Sequence, residues 1–84
     1  PLDGTYEILT KRDHLVMVIK GNAGTVTSED SDGDKEQRLV KIDKQKKELT
    51  ITDTKGRNLG KTKYMLKDKE LYLQEPDQTF NRVK

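Results

Sequence analysis

The 84-residue chain has no cysteine, no tryptophan, one histidine and two prolines, and aromatic residues make up 5% of it. Without cysteine, neither a disulfide nor a thiolate metal site is available. The single histidine, His14, leaves no multi-His metal centre, and it sits at the start of a strand pattern, where it caps or faces solvent. Ser28 and Ser31 have no partner base. Glycine does not gather into a phosphate-cradling loop: Gly21-Asn22-Ala23-Gly24 is too short and falls in a hairpin. The longest apolar run, Leu15 to Ile19, is far below the ~20 residues a membrane helix needs, and no signal-peptide pattern opens the chain. These absences point away from an enzyme and call for no cofactor.

What is present is rhythm. Short apolar/polar alternations recur with charged or Gly-containing breaks between them: Arg38-Leu39-Val40-Lys41-Ile42, Glu48-Leu49-Thr50-Ile51-Thr52, Lys63-Tyr64-Met65-Leu66, Glu70-Leu71-Tyr72-Leu73 and Thr79-Phe80. Period-two alternation is the signature of a half-buried strand. Upstream, residues 3–10 form a first strand with Tyr6 and Ile8 on one face. Residues 14–20 are continuously apolar, as in a strand covered on both faces, and residues 23–28 return from a tight Gly21-Asn22 turn. Further strands fall at about 36–43, 48–53, 61–67, 69–75 and 79–82, and no segment sustains a helical period. Connections this short give an up-and-down order. The expected fold is all-β: one domain, residues 1–84, an antiparallel meander of about eight short strands in a small, closed or nearly closed barrel.

Closure suits a chain of this size, because a domain near 80 residues buries little surface and benefits from having no open sheet edge. Supply limits its interior. Eight strands each sending about three residues inward require roughly 24 side chains, and the chain has 25 apolar residues. Leu9, Leu59, Met65 and Tyr72 fall on outward positions. The interior is therefore expected to be packed, with at most a shallow cleft at one open end.

Three charged or aromatic features are candidate sites. The acidic loop 29–36 holds five carboxylates, and Asp30-x-Asp32-x-Asp34 imitates the start of an EF-hand. Its glycine stands at the fourth position instead of the sixth, and no Glu occupies the twelfth, so a solvated turn is the preferred reading over a Ca²⁺ site. Tyr72, with Lys61, Lys63, Lys67 and Lys69 near it, is a weak candidate surface for an oligonucleotide or anionic polymer. Tyr64 and Phe80 share the register of Leu66, Leu71 and Leu73 and belong to the core. The net charge of +2 is too small to imply nucleic acid. Charge is uneven along the chain: residues 1–40 carry five Lys/Arg against eight Asp/Glu, and residues 41–84 carry twelve against seven. Cation and carboxylate interleave throughout, as on a solvated surface.

Asp3-Gly4-Thr5-Tyr6 followed by a compact meander resembles the small extracellular domains of Gram-positive, especially streptococcal, lipoproteins. The likeness extends through the Gly21-Asn22 hairpin, Val40-x-Ile42-Asp43, Leu49-x-Ile51 and Leu71-x-Leu73. It implies a lipocalin-like barrel, a lipid anchor upstream of Pro1 and a location on the outer face of the cell membrane. The chain opens on Pro1-Leu2-Asp3 instead of Met, as expected of a processed product. Lipocalins begin their first strand with Gly-x-Trp, over whose ring a basic residue of the last strand packs. Here Tyr6 replaces the Trp and Arg82 is the implied partner, a device that closes the barrel. The resemblance implies a monomeric, non-enzymatic binding or interaction module engaging a cell-envelope or host partner. Two alternatives stand beside it: a small carrier of an apolar ligand at one barrel mouth, and an oligonucleotide-binding barrel.

Overall fold

A computed structural model describes residues 1–83. Eight strands run in sequence: β1 (Gly4–Leu9), β2 (Asp13–Lys20), β3 (Ala23–Asp30), β4 (Lys35–Asp43), β5 (Glu48–Thr52), β6 (Asn58–Lys67), β7 (Glu70–Leu73) and β8 (Gln78–Arg82). Each pairs antiparallel with its sequence neighbours, and β1 pairs with β8, so the sheet is a closed barrel. Among the described residues none is helical. Among the described residues one register shift occurs, between Ile51 and Thr52, where β5 meets β6.

Alternation sets the inside. Tyr6 lies opposite Met17, Met17 opposite Val26, Ile19 opposite Gly24 and Gly24 opposite Val40. With Ile42, Leu49, Tyr64, Leu71, Leu73 and Phe80, most of these side chains form one buried cluster. Leu9, Leu59 and Met65 are exposed, at 73%, 47% and 61%, on the outer face expected of them. Gly24 is required where it stands. A Cβ there would run into the backbone carbonyl oxygen of Val18 on the neighbouring strand.

Two expectations change. Residues 14–20 are not covered on both faces: Leu15, Met17 and Ile19 turn inward, while Val18 is 44% exposed. No second layer packs outside the barrel, so a continuously apolar strand here places its alternate residues against water. The acidic loop is also shorter than 29–36. β3 runs through Glu29 and Asp30 and β4 restarts at Lys35, with Glu29 opposite Lys35 and Ser28 opposite Glu36. Ser31–Asp34 alone make the turn. Polar residues occupy these strand ends because the β3–β4 ribbon rises above the packed cluster, where both of its faces meet solvent.

Up-and-down order sorts the connections between the two ends of the barrel. The β1–β2, β3–β4, β5–β6 and β7–β8 connections gather at one end. The β2–β3, β4–β5 and β6–β7 connections gather at the other, beside the first and last described residues.

Candidate functional site

The end that carries the termini is shut. Tyr6 on β1 lies opposite Arg82 on β8, and the Arg82 guanidinium carbon stands 5.1 Å from the centre of the Tyr6 ring. The Tyr6 hydroxyl donates to the Leu2 carbonyl at 2.6 Å, and Arg82 Nη2 donates to the Tyr6 hydroxyl and to the Pro1 carbonyl, each at 2.6 Å. Leu2 is thereby folded under the barrel floor, buried to 7% exposure. One arginine joins the first strand, the last strand and the N-terminal segment. Cation–ring attraction within ~6 Å contributes about 0.5–2 kcal/mol, and hydrogen bonds to a charged donor about 1.5–3 kcal/mol each. The partly offsetting cost is Arg82 Nε, which is buried without an acceptor.

The opposite end is open. A cleft of about 210 Å³ enters the barrel there, with Met17, Val26, Ile51 and Phe80 among its apolar walls and Arg38 and Gln78 as its polar ones. Arg38 arrives by alternation: Ile42, Val40, Arg38 and Glu36 are the inward series of β4, and the packed cluster ends at Val40. Above that level an inward side chain meets water, so a guanidinium is tolerated. It is held by Glu36, whose Oε2 accepts from Arg38 Nη2 at 2.9 Å. On the far wall Pro76 is placed by Thr62. The buried Thr62 hydroxyl accepts from the Glu75 N–H at 2.7 Å and fixes the β7–β8 connection against β6. Arg38, Gln78 and Pro76 were not singled out in the sequence: Arg38 reads as the polar opening of a strand, and Pro76 as part of a turn. The parity of Arg38 with Val40 and Ile42 was the available signal.

The remaining candidates disperse. Tyr72 points outward, opposite Met65 and Thr79, and its neighbour Asp77 raises the phenol pKa through a side-chain hydrogen bond, with burial adding a smaller effect. Lys63 and Lys67 flank Met65 on the outer face of β6 and so stand diagonal to Tyr72. Lys61 does not accompany them: it is four residues from Met65 along β6, about 13 Å. Lys61 and Lys63 both reach across to Glu48 on β5, at 4.0 and 3.7 Å. Lys69 lies in the β6–β7 turn. Glu48 and Asp77 thus place carboxylates in what was read as a cationic surface.

Asp30, Asp32 and Asp34 bring their carboxylates within 4.8 Å of one another. Yet Asp30 Oδ1 already accepts from the N–H groups of Asp32 and Asp34, at 2.9 and 3.0 Å. Asp43 caps its own turn in the same way, and so does Asp53. Three exposed carboxylates fall short of the six to eight oxygens Ca²⁺ takes, and the arrangement is that of a capped turn. His14 meets a partner the sequence did not suggest: its Nε2 lies 2.9 Å from Glu7 Oε2 across β1–β2, on the outer face.

An eight-stranded up-and-down barrel, shut at one end by an arginine over the first-strand aromatic and open at the other, is a small lipocalin-like barrel. Two solved structures share that fold, one described as a lipocalin lipoprotein affecting virulence in Streptococcus pneumoniae and the other as a lipoprotein from the same organism. Each superposes with a TM-score of 0.78 at 24% identity, over 98% of this chain and 91% of its own. No family model matches the chain, and no curated protein matches it.

Proposed function

We propose that this chain is the non-enzymatic binding domain of a surface-anchored bacterial lipoprotein and that it binds through its open mouth. The observation that carries the reading is the asymmetry of the barrel: a tied floor beneath a packed core, and a cleft of about 210 Å³ at the other end. A cleft smaller than the ~300–1,000 Å³ of ordinary ligand sites takes one apolar group, not a whole large ligand. Such a group projects from a cell-envelope or host partner. The apolar walls around Arg38 also favour a second reading, a carrier of a small amphiphile. The two fold neighbours described as lipoproteins support the surface location.

Decanoate, an apolar chain with one carboxylate, is a suitable probe of the mouth. Titrated into ¹⁵N-labelled domain, it is expected to shift the amides of Leu15, Val26, Arg38 and Ile51. Val26→Trp, which fills the cleft, is expected to abolish the shifts. Saturable shifts confined to the outer strand faces, or none at all, would sink the mouth as the binding site. Location is tested on the intact gene product: incorporation of labelled palmitate supports the lipoprotein reading, and its absence removes it.

A further inference from the structure

The two ends of the barrel differ in charge, and the closed end carries the excess of cations. Its β4–β5 connection holds Lys44, Lys46 and Lys47, and its β6–β7 connection holds Lys69, all exposed. Lys20 and Lys67, the last residues of β2 and β6, stand beside them. The carboxylates at this end are Asp3, Asp43, Glu48, Asp68 and Glu70, against the six lysines just named. Two of them serve the backbone: Asp3 accepts from the Gly21 N–H and Asp43 from the N–H groups of Gln45 and Lys46. At the mouth, by contrast, the connections carry Asp32, Asp34, Asp53, Glu75 and Asp77 against Lys11, Arg12, Lys55 and Arg57. In sequence these charges interleave. The up-and-down topology separates them, because alternate turns go to opposite ends.

The basic end is also grooved. A depression of about 300 Å³ opens between Lys44 and Lys47, floored by Leu2, Tyr64 and Leu66. Two ammonium groups bordering an apolar floor fit a phosphate that carries a hydrocarbon body. We infer that the closed end is a docking face for an anionic phospholipid surface, which it meets with Lys44, Lys47 and Lys69, turning the open mouth away from the bilayer. Charge complementarity selects the partner: each lysine near an anionic leaflet contributes about fivefold to partitioning. The lipoprotein reading is needed only to explain why a bilayer stands at this end, beside Pro1.

Co-sedimentation of the chain with lipid vesicles tests the docking without any anchor. Vesicles containing phosphatidylglycerol are expected to bind it, pure phosphatidylcholine vesicles not, and binding should weaken as salt shortens the range of the charges. Lys44→Gln/Lys47→Gln/Lys69→Gln is expected to weaken partitioning about a hundredfold, whereas Lys11→Gln/Lys55→Gln/Arg57→Gln at the mouth should retain it. Equal losses from the two triple variants, or no binding to phosphatidylglycerol, would overturn the proposal. So would soluble polyphosphate binding the chain as tightly as the vesicles do, because the face would then read charge alone. Vesicle docking without palmitate incorporation in the intact product would remove the lipoprotein reading and leave this one standing.

Discussion

Arg82 does at one position what the missing cysteines and the small core cannot. It holds together three segments that share no turn: β1 through the Tyr6 ring and hydroxyl, the N-terminal segment through the Pro1 carbonyl, and its own strand β8. Because the Tyr6 hydroxyl is both acceptor from Arg82 and donor to Leu2, the two side chains form one unit. Arg82→Met keeps the stem and removes the donors, so a loss of about 1.5–3 kcal/mol in urea unfolding is expected. Tyr6→Phe should cost about 1–2 kcal/mol. The double variant should cost less than both together, since each single change already breaks the shared bond. Additive losses would show that the two act independently. A second residue-scale prediction concerns alkaline pH. The Tyr64 phenol has its pKa raised, chiefly by burial and further by the charge of Asp43. A proton held more tightly by the folded state gives stability that is whole below the unfolded pKa, near 10, and is lost as pH rises through the folded value. The urea midpoint should therefore fall above about pH 10, and Tyr64→Phe should flatten the fall. An unchanged slope in that variant would assign the alkaline loss to other groups.

Strands were the legible elements, and the reason lies in how alternation arises. Where one face meets the packed cluster and the other meets water, the pattern is strict, as in Leu71-Tyr72-Leu73 and Thr62-Lys63-Tyr64. Where β3 and β4 rise above the cluster, both faces meet water and the signal vanishes, which is why Glu29, Lys35 and Glu36 read as loop yet are paired strand residues. The acidic turn between them illustrates a related ambiguity. Carboxylates spaced for a metal and carboxylates spaced to cap a turn share one short-range pattern, since both place oxygens around a loop of backbone N–H groups. The bonds to Asp30 Oδ1 are those of a cap, and the two readings part in their response to Ca²⁺. Asp30→Asn, which keeps an acceptor oxygen, should leave the melting temperature nearly unchanged, while Asp30→Ala should lower stability by about 1 kcal/mol. Millimolar Ca²⁺ should move neither value. A Ca²⁺-dependent rise that Asp32→Asn and Asp34→Asn abolish would restore the metal reading.

At the scale of the whole barrel, pairing is unevenly distributed around the ring. The β2–β3 seam pairs from Asp13 opposite Asp30 to Lys20 opposite Ala23. Among the described residues the β1–β8 seam pairs Tyr6 with Arg82 and Glu7 with Asn81 and adds one bond from the Val83 N–H to the Thr5 carbonyl. Closure is thus thinnest where the two ends of the chain meet, and Arg82 stands on that seam. The closing pair was legible through the lipocalin resemblance, whose first-strand Gly-x-Trp and last-strand cation fall on Tyr6 and Arg82. The mouth was not, because Arg38, Gln78 and Pro76 converge from three strands and connections with no mutual spacing in the sequence. Nor was the basic floor, which exists only once alternate turns are sorted to opposite ends. A short seam should open before the rest of the barrel does, since local opening costs least where buried contacts and ladder bonds are fewest. In Arg82→Ala, hydrogen exchange is therefore expected to accelerate at Glu7, Asn81 and Val83, whose N–H groups face this seam, well beyond the change at Met17 and Val40, which lie in longer ladders. The opened seam also frees the edges of β1 and β8, so the variant should associate as its concentration rises, in the way unpaired strand edges do. Sedimentation velocity reads that association directly. Acceleration by one common factor at all five amides, in a variant that stays monomeric, would mean that the seam parts only when the whole barrel unfolds and that Arg82 stabilises the fold without guarding its closure.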